Sequence, residues 1–296
     1  MTFNGAFTAL VTPFSNGVID EESYRKLIEW QIKEGIEGLV PCGTTGESAT
    51  LSHAEHAQVV KICVDQVKGR VPVLAGSGSN STKEAIELTK VAKQAKADGA
   101  LLITPYYNKP TQEGLVAHFK AVAKEVSIPL ILYNVPGRTC VNLLPETLGR
   151  LFREVPEVKG VKEATGNLSQ VSEVLEYCGP DFIVLSGDDF TVLPTLALGG
   201  KGVISVVSNI VPDKMSMLCR SFRNADLGKA QDLHFELAPL CRAMFLETNP
   251  GPVKTSLGLM GKIKTELRLP MVRMQSNTEA RLKDILGKAG LITLKK

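Results

Sequence analysis

The sequence predicts a (β/α)8 TIM barrel with a C-terminal helical appendage. Short apolar runs rich in β-branched residues recur about eight times, and amphipathic stretches with helical spacing lie between them. Each repeat is roughly 25 to 35 residues long, which is the length of one strand–helix unit. Because the runs are apolar on both faces, they are typical of parallel strands that helices cover on each side. Alternation sustained over this many units favours a closed barrel over an open doubly wound sheet.

The candidate strands are identified by their length and their branched residues. In chain order they are Ala6–Val11, Gly38–Cys42, Val71–Ala75, Ala100–Thr104, Leu130–Asn134, Gly160–Glu163, Ile183–Ser186 and Val203–Val207. The clearest helices between them, with apolar residues every three or four positions, are Glu21–Lys33, Ala54–Val67, Thr82–Lys96 and Gln112–Glu125. Two of these helices begin with a capping-box pattern that satisfies free backbone N–H groups, at Ser52–Glu55 and Ser81–Glu84.

The last quarter of the chain is helical by pattern. The candidate helices after the final strand are Asp213–Arg223, Leu227–Phe245, Val253–Leu259 and Thr278–Gly287. Linkers rich in Gly, Ser or Pro are absent before this part of the chain. We therefore assign residues 1–225 to a catalytic barrel and residues 226–296 to a C-terminal helical region.

Composition excludes several classes of protein. Of 296 residues, 44% are hydrophobic and 22% are charged, which excludes a disordered, collagen-like or coiled-coil chain. Lys and Arg exceed Asp and Glu by 34 − 31 = 3, and neither sign forms a long block, so we expect no nucleic-acid partner. The first residues lack a signal-peptide pattern, and no stretch reaches the roughly 18 apolar residues of a membrane span. We therefore expect no membrane association. Six cysteines in 296 residues are far below the density of a disulfide scaffold and form no Cys-x-x-Cys pair, so we expect a cytoplasmic protein.

Metal and cofactor motifs are also missing from the sequence. His53 and His56 do not form a His-Glu-x-x-His pattern and the cysteines are scattered, so we expect no metal site. The glycine-rich segment 76–81 ends in serine where a dinucleotide-binding fingerprint has glycine, and segment 43–48 lacks the Gly-Lys-Ser/Thr of a P-loop. The sequence therefore predicts chemistry without a metal or a nucleotide cofactor.

Lys162 is the most unusual residue at the strand ends, where barrel enzymes carry their reactive groups. A lysine within a short apolar strand either reaches solvent or lies inside the mouth of the barrel. Desolvation favours a neutral amine, which attacks a carbonyl carbon to form a Schiff base. Two interpretations remain open from position alone: Lys162 is a covalent catalyst, or its side chain faces outward or pairs with Glu163.

Polar residues at neighbouring strand ends fit the same chemistry. Tyr133 has a phenol that can move a proton to or from an imine, and Thr44 and Thr45 offer hydroxyl groups. Arg138 offers a planar fork suited to a carboxylate. Taken singly, each has an ordinary alternative: a core tyrosine, a threonine turn between glycines, or an exposed loop arginine. Their agreement with Lys162 favours an active site.

Three segments together resemble the dihydrodipicolinate synthase (4-hydroxy-tetrahydrodipicolinate synthase) family of Schiff-base pyruvate aldolases. They are GTTGES at 43–48, YNVPGRT at 133–139 and GVKEATG at 160–166, and the resemblance covers essentially the whole chain. It implies an enzyme of lysine and diaminopimelate biosynthesis that condenses pyruvate with L-aspartate-4-semialdehyde to 4-hydroxy-tetrahydrodipicolinate. It also implies a cytoplasmic homotetramer, built as a dimer of tight dimers, with no cofactor beyond the covalent Schiff base.

The resemblance also implies roles for the catalytic residues. Lys162 corresponds to the lysine that forms the Schiff base with pyruvate. Tyr133 corresponds to the proton donor and acceptor at the imine. Thr44 links Tyr133 to Tyr107, which in this family enters the relay from the partner subunit.

Substrate binding is implied for a second group of residues. Thr45, with Ile204 near it, resembles the pyruvate-binding pair, in which Thr45 holds the carboxylate. Arg138 lies where the carboxylate of the aldehyde substrate binds. Gly187 and Asp188 resemble the loop that borders this site.

A feedback site for L-lysine at the tight-dimer interface is a further implication of the resemblance. The residues that match it are Ser48, Ala49, His53, His56, Asn80, Glu84 and Tyr106. Glu84 can pair with the α-ammonium of the ligand, and Asn80 and Tyr106 can bind its carboxylate. The two histidines can offer polar contacts near its side-chain amine. The alternative is that these histidines only belong to a capped helix start.

Other functions remain open at this point. An N-acetylneuraminate lyase or a 2-keto-3-deoxy sugar-acid aldolase would share Lys162, Tyr133 and the glycine loop. Arg138 and the paired threonines favour the synthase. A catalytically silent barrel that senses lysine would need no reactive lysine, and a dehydrogenase would need a better glycine fingerprint.

Overall fold

The structure, a computed structural model, describes residues 3–293. Within them the strands are β1 Gly5–Ala9, β2 Phe14–Ser15, β3 Val18–Ile19, β4 Gly38–Val40, β5 Leu74–Gly76, β6 Gly99–Ile103, β7 Leu130–Asn134, β8 Val158–Glu163, β9 Ile183–Ser186 and β10 Gly202–Ser205. The α-helices are α1 Glu21–Lys33, α2 His53–Val67, α3 Thr82–Gln94, α4 Gln112–Glu125, α5 Pro136–Thr139, α6 Pro145–Glu154, α7 Leu168–Cys178, α8 Val192–Ala197, α9 Pro212–Arg223, α10 Leu227–Ala243, α11 Gly251–Leu259 and α12 Ser276–Lys288.

The main sheet contains eight parallel strands in the order β4-β1-β10-β9-β8-β7-β6-β5. An isolated parallel bridge between Leu39 and Val73 joins the two end strands and closes the sheet into a barrel. Helices connect successive strands along the chain, as parallel pairing requires. The TIM barrel predicted from the sequence is confirmed.

The structure contains one small sheet that the sequence did not predict. Strands β2 and β3 form an antiparallel hairpin in which Phe14 pairs with Ile19. Strands of two residues are too short to show an alternating pattern in the sequence. The hairpin adds to the chain between β1 and α1 and leaves the barrel topology unchanged.

The third barrel strand begins later than the apolar run suggests. The run starts at Val71, but the strand starts at Leu74. Pro72 lies inside the run and has no N–H to donate to a neighbouring strand. Its carbonyl still accepts a hydrogen bond from the backbone N–H of Leu39 at 3.0 Å. The apolar run is therefore only partly strand.

The interior of the barrel is filled with side chains, as is usual for this fold. Its buried members include Phe7, Leu74, Leu101, Ile131 and Leu185. Gly38 shows how close this packing is, because a Cβ at that position would lie 2.1 Å from the ring of Phe7. A filled interior leaves the rims of the barrel as the place for a binding site.

The C-terminal helices pack on the barrel. Leu233 and Leu237 of α10 belong to the same apolar cluster as Ala6 of β1 and Met215 of α9. The division of the chain at residue 225 stays a prediction, and helices on both sides of it share this core. Among residues 3–293, no helix is both long enough and apolar enough to cross a bilayer.

Candidate active site

A cavity of about 200 Å³ lies at the carboxyl ends of the barrel strands. In this fold the reactive groups collect at that end. The cavity is lined by five of the residues singled out from the sequence, Thr44, Thr45, Tyr133, Arg138 and Lys162. Gly187 and Asp188, which the resemblance places at the border of the site, also line it. The structure thus brings four strand ends together around one space.

Lys162 enters the cavity from strand β8, with its side chain almost fully buried. Its register partner on β7 is Tyr133, and Lys162 Nζ lies 4.1 Å from the centre of the Tyr133 ring. On the other side, a Cβ at position 187 would lie 3.1 Å from Lys162 Cε. Gly187 therefore leaves the space that the lysine stem needs. None of the ion pairs within residues 3–293 includes Lys162.

The neighbouring Glu163 points to the opposite side of the strand, because successive side chains alternate along β8. Its Oε2 accepts hydrogen bonds from Asn134 Nδ2 at 3.1 Å and Gln170 Nε2 at 3.2 Å. Its Oε1 accepts one from the backbone N–H of Thr165 at 2.8 Å. These donors satisfy the buried carboxylate without a lysine. The structure excludes the interpretation in which Lys162 faces outward or pairs with Glu163.

The loop after strand β4 brings Thr44 and Thr45 to the cavity. Thr45 is buried, and its Oγ1 accepts a hydrogen bond from Asn249 Nδ2 at 3.0 Å. Glu47 adopts a left-handed backbone with φ 54°, and its N–H donates to the carbonyl of Thr44 at 3.1 Å. Behind the loop, Glu47 Oε1 accepts a hydrogen bond from Lys254 Nζ at 2.5 Å. The loop is therefore held from the C-terminal region of the chain.

Arg138 lies on the short helix α5 that follows strand β7. Its Nη2 donates a hydrogen bond to the backbone oxygen of Asn249 at 3.4 Å. A guanidinium has five N–H donors, so this contact leaves most of them free. A free fork of this kind binds a carboxylate through two parallel hydrogen bonds. Arg138 is exposed at the rim, where a substrate arrives from solvent.

Two residues named by the resemblance do not line the cavity of their own chain. Ile204 is fully buried in the barrel interior, in the same apolar cluster as Tyr133. Val206, two residues further on, lines the cavity instead. Tyr107 is 89% exposed and has a left-handed backbone with φ 71°. Its side chain therefore lies outside this cavity.

Asp188 at the rim has an altered acidity. Burial raises the pKa of the Asp188 carboxyl, and the hydrogen bond that Oδ1 accepts from the backbone N–H of Phe190 at 3.1 Å opposes this effect. Burial is the larger of the two causes. The carboxyl therefore keeps its proton to a higher pH than a free aspartate.

Val206, Phe245 and Asn249 are among the lining residues that sequence reasoning missed. Asn249 contacts Thr45 across 204 positions of sequence, and no local pattern carries a contact at that separation. The sequence contained one signal that could have indicated Asn249. The helical pattern breaks after α10 and resumes at α11, and loops between elements often carry binding residues.

A second cavity, of about 420 Å³, adjoins the first, and Thr44, Arg138 and Asn249 line both. Six of the seven residues matched to the lysine site line it, namely Ser48, Ala49, His53, His56, Glu84 and Tyr106. The seventh, Asn80, does not line this cavity. The backbone oxygen of Asn80 accepts a hydrogen bond from Asn108 Nδ2 at 2.9 Å. The structure therefore gathers most of this constellation around one space.

The charges in the second cavity favour a cationic ligand. Glu84 Oε2 accepts a hydrogen bond from the Ser79 hydroxyl, and Oε1 lies 2.8 Å from His53 Nε2. The Ser79 bond first, and His53 second, lower the pKa of Glu84, so the carboxylate stays ionised. Burial lowers the pKa of His56, whose Nε2 lies 2.7 Å from the carbonyl oxygen of Gly76. A neutral His56 adds no positive charge to the cavity at neutral pH.

The chain matches known proteins over its whole length. The model of the dihydrodipicolinate synthetase family matches residues 2–289. The 4-hydroxy-tetrahydrodipicolinate synthase of Nitratidesulfovibrio vulgaris (strain DP4) is 70% identical over 292 residues, which is 99% of this chain and 100% of that protein. The match includes both the barrel and the C-terminal helices.

Solved structures agree with this similarity. The chloride-inhibited dihydrodipicolinate synthase of Acinetobacter baumannii, complexed with pyruvate, is 46% identical with a TM-score of 0.96 over 98% of this chain and 100% of that one. The dihydrodipicolinate synthase of Cyanidioschyzon merolae with lysine bound is 39% identical with a TM-score of 0.94 over 98% of this chain and 99% of that one.

Proposed function

This chain belongs to the dihydrodipicolinate synthetase family, and we propose that Lys162 is the residue on which its reaction takes place. The enzyme is a lyase of the class I aldolase type. It condenses pyruvate with L-aspartate-4-semialdehyde to give 4-hydroxy-tetrahydrodipicolinate, a step of lysine and diaminopimelate biosynthesis. It works through a covalent Schiff base on a lysine and uses no external cofactor.

The proposed reaction begins when the neutral amine of Lys162 attacks the keto carbon of pyruvate and water leaves, which forms an iminium. The iminium draws electrons from the adjacent methyl group, so that group loses a proton and an enamine forms. The enamine carbon adds to the aldehyde carbon of the second substrate. The amino group of that substrate then displaces Lys162 by transimination as the ring closes. Tyr133 moves the protons at the imine.

One observation carries this proposal: Lys162 is a buried lysine without an ion-pair partner among residues 3–293, and it lines the strand-end cavity beside Tyr133. In the part of the chain that the structure describes, no other lysine lines that cavity. A carbonyl compound that binds there therefore meets a single primary amine. Geometry of this kind replaces an encounter in solution by an attack within one site.

Thr45 and Arg138 are the proposed ligands of the two carboxylates. Thr45 lines the same cavity as Lys162 and is proposed to hold pyruvate, while Arg138 at the rim is proposed to hold the aldehyde substrate. Ile204 is proposed to support the pyruvate site from the barrel interior, where it packs in the same cluster as Tyr133. The free N–H donors of Arg138 support its role, since a four-carbon substrate with one carboxylate needs a cationic group at the entrance.

Thr44 and Tyr107 complete the proposed proton relay, with Tyr107 supplied by the partner subunit of a tight dimer. The exposure of Tyr107 on its own chain supports this arrangement. Mixing inactive Tyr107→Phe and Lys162→Ala subunits should restore one native site per heterodimer. Each variant mixed with itself is the control. Heterodimers verified by mass that regain no activity would contradict shared sites.

The activity is tested by coupling product formation to dihydrodipicolinate reductase, with pyruvate and L-aspartate-4-semialdehyde as substrates. Cleavage of N-acetylneuraminate, measured in the same preparation, covers the aldolase alternative. We expect the coupled reaction to proceed and sialic-acid cleavage to be absent. The reverse result would reassign the chain within the Schiff-base aldolases.

We propose that L-lysine inhibits the enzyme from the second cavity. The ionised Glu84 and the neutral His56 support binding of a diamino acid, and a relative with lysine bound has been solved. By calorimetry, Glu84→Ala should weaken lysine binding about tenfold to a hundredfold, the worth of one hydrogen bond to a charged group. Glu87→Ala on the same helix is the matched control, because Glu87 is exposed and does not line the cavity. His56→Lys should also weaken binding, by repelling the ligand's side-chain ammonium.

A homotetramer, built as a dimer of tight dimers, is the proposed assembly. An apolar surface groove between α7 and α8 supports a contact between copies, and its lining includes Leu168, Pro194, Ala197 and Leu198. Leu168 and Leu198 are 36% and 41% exposed in the isolated chain. Leu198→Asp should lower the mass measured by analytical ultracentrifugation. A cytoplasmic location is also proposed, which the six free cysteines support.

A further inference from the structure

We infer that Asn249 is a positioning residue, which orients the hydroxyl of Thr45 toward the carboxylate of pyruvate. The inference rests on the proposed role of Thr45 in binding pyruvate. Asn249 lies in the loop between α10 and α11 and is only 5% exposed. It is among the residues that line the catalytic cavity, together with Thr45 and Lys162.

The hydrogen bonding of Thr45 carries the first step. A threonine hydroxyl has one hydrogen to donate and two lone pairs that accept. Asn249 Nδ2 donates to Thr45 Oγ1 at 3.0 Å. Because a side-chain amide N–H occupies one lone pair, the hydroxyl keeps its own hydrogen for another acceptor. The acceptor that enters this cavity is the pyruvate carboxylate.

Asn249 touches both proposed carboxylate ligands, but through different parts. Its side chain donates to Thr45, and its backbone oxygen accepts a hydrogen bond from Arg138 Nη2 at 3.4 Å. A substitution of the side chain removes the first contact and keeps the second. Such a substitution should therefore affect pyruvate more than the aldehyde substrate.

The oxygen of the Asn249 side-chain amide distinguishes a positioning role from a purely structural one. Asn249 Oδ1 is buried and has no hydrogen-bond partner within residues 3–293. A buried acceptor without a partner destabilises a fold. An apolar side chain would avoid that penalty, so packing alone does not explain why an amide occupies position 249. The hydrogen bond that the Asn249 amide N–H donates to Thr45 does explain it.

A double-mutant cycle tests the inference. We would measure kcat and the KM of each substrate for the unsubstituted enzyme, Asn249→Ala, Thr45→Val and the double variant. Asn249→Ala should raise the KM for pyruvate about threefold to tenfold, the range of one hydrogen bond, with the KM for the aldehyde little changed. In the Thr45→Val background, Asn249→Ala should have no further effect, because the hydroxyl that it orients is gone.

The outcomes distinguish the inference from the role on which it rests. An effect of Asn249→Ala that is equal in both backgrounds, or equal for both substrates, would overturn the inference and indicate general loosening of the site. If Thr45→Val raises the KM for pyruvate but Asn249→Ala does not, the inference fails while the role of Thr45 stands. If Thr45→Val leaves that KM unchanged, both fail.

Asn249→Asp is the second variant, because it keeps the shape of the side chain and leaves no cavity. Its carboxylate accepts from the Thr45 hydroxyl and cannot donate to it, so the hydroxyl hydrogen turns away from pyruvate. The KM for pyruvate should rise at least as much as in Asn249→Ala. An unchanged KM in a folded Asn249→Asp enzyme would overturn the inference.

Discussion

Two buried lysines in this molecule have opposite surroundings. Lys254 is fully buried, and its ammonium donates to Glu47 Oε1 at 2.5 Å and to the backbone oxygen of Thr12 at 2.9 Å. Lys162 is 7% exposed, lines an open cavity and belongs to none of the ion pairs within residues 3–293. Both Nζ atoms lie near an aromatic ring, at 4.1 Å from the centre of the Tyr133 ring for Lys162 and 4.3 Å from that of Phe14 for Lys254.

The contrast shows that burial alone does not make a lysine a nucleophile. Burial lowers the pKa of Lys254, but the carboxylate of Glu47 opposes that shift and takes up the ammonium as a fixed partner. Lys254 therefore ties the loop of Thr44 and Thr45 to the C-terminal region. Lys162 has space in front of it and no fixed partner, so it is available to a substrate. One lysine serves the fold, and the other serves the reaction.

Replacing Lys162 is the strongest challenge to this contrast. Lys162→Met should reduce kcat by on the order of a thousandfold or more, because the described residues then offer the cavity no amine nucleophile. Its free energy of unfolding should change by less than about 1 kcal/mol, since no ion pair is lost. Steady-state kinetics and urea denaturation at one protein concentration check both parts. Retained activity would show that the reacting amine lies elsewhere.

Replacing Lys254 should give the opposite pattern. Lys254→Met leaves the buried Glu47 carboxylate without its partner, which should destabilise the fold by about 3 to 5 kcal/mol. Trapping of pyruvate on Lys162 should persist at a temperature where the variant is folded. Lys262→Met is the matched control, because that ammonium lies over the ring of Trp30 at 3.6 Å, and its loss should cost no more than about 1 kcal/mol.

The double variant Lys254→Met/Glu47→Gln sharpens the same result. It removes both charges of the pair, so it should recover part of the stability that Lys254→Met loses. A double variant that is less stable than Lys254→Met would show that Glu47 acts through its other contact, the backbone N–H of Arg268 at 3.0 Å.

Two arginines, Arg138 and Arg153, give a second comparison between a residue at the cavity and one away from it, with a smaller expected effect. Among the described residues, Arg138 has one side-chain hydrogen bond, to a backbone oxygen at 3.4 Å, and its other donors are free at the cavity. Arg138→Ala should lower kcat/KM for L-aspartate-4-semialdehyde about tenfold to a hundredfold, with pyruvate trapping retained. Arg153 is the matched control, since its Nη1 makes the same kind of contact, to the backbone oxygen of Tyr177 at 3.4 Å, away from the cavity. Kinetics of Arg138→Ala equal to those of Arg153→Ala would remove Arg138 from the site.

The smallest expected effect concerns the ion pair between Glu55 and Arg268. The Arg268 side chain donates hydrogen bonds to the Glu55 carboxylate and to the backbone oxygens of Thr50 and Gly17. The hydrogen bond from Arg268 is the main reason that the pKa of Glu55 falls from 4.5 to about 2. A lowered carboxyl pKa stabilises the fold above pH 4.5, and this stability is lost as the pH falls toward 2. Glu55→Gln should therefore lower the Tm at pH 6 modestly, by the equivalent of about 1 kcal/mol or less.

The difference between Glu55→Gln and the unsubstituted enzyme should shrink between pH 6 and pH 3. Glutamine keeps an oxygen that can accept the helix-capping bond from the backbone N–H of Ser52, so the cap is a constant in this comparison. A Tm difference independent of pH would indicate that the charge of Glu55 contributes nothing.

Much of the fold was readable because its signals are local. Apolar runs such as Leu130–Asn134, and the 3.6-residue periodicity of Glu21–Lys33, match the structure at both ends. The errors also have local causes. Pro72 shortens a strand, and α3 stops at Gln94 because Lys96 takes a left-handed backbone with φ 65°. Pairing between elements then follows from the regular barrel geometry.

The site residues could be predicted from the sequence only where they lie at the carboxyl ends of the barrel strands. Lys162 stands out as a charge in an apolar strand, and strand alternation separates it from Glu163. Asn249 and Phe245 reach the cavity from a loop of the C-terminal region, whose path depends on tertiary packing. Lys254 looks like an ordinary helix lysine in the sequence, because its partner Glu47 lies 207 positions away.

Reduction with borohydride in the presence of pyruvate tests the central contrast most directly. The reagent fixes the imine as a stable amine, and peptide mass spectrometry then identifies the modified lysine. We expect one three-carbon label per chain, on the peptide that contains Lys162, with no label in Lys162→Met and the same label in Lys254→Met. A label on Lys254 or on any other lysine, or no label at all, would contradict the assignment of Lys162 as the Schiff-base residue.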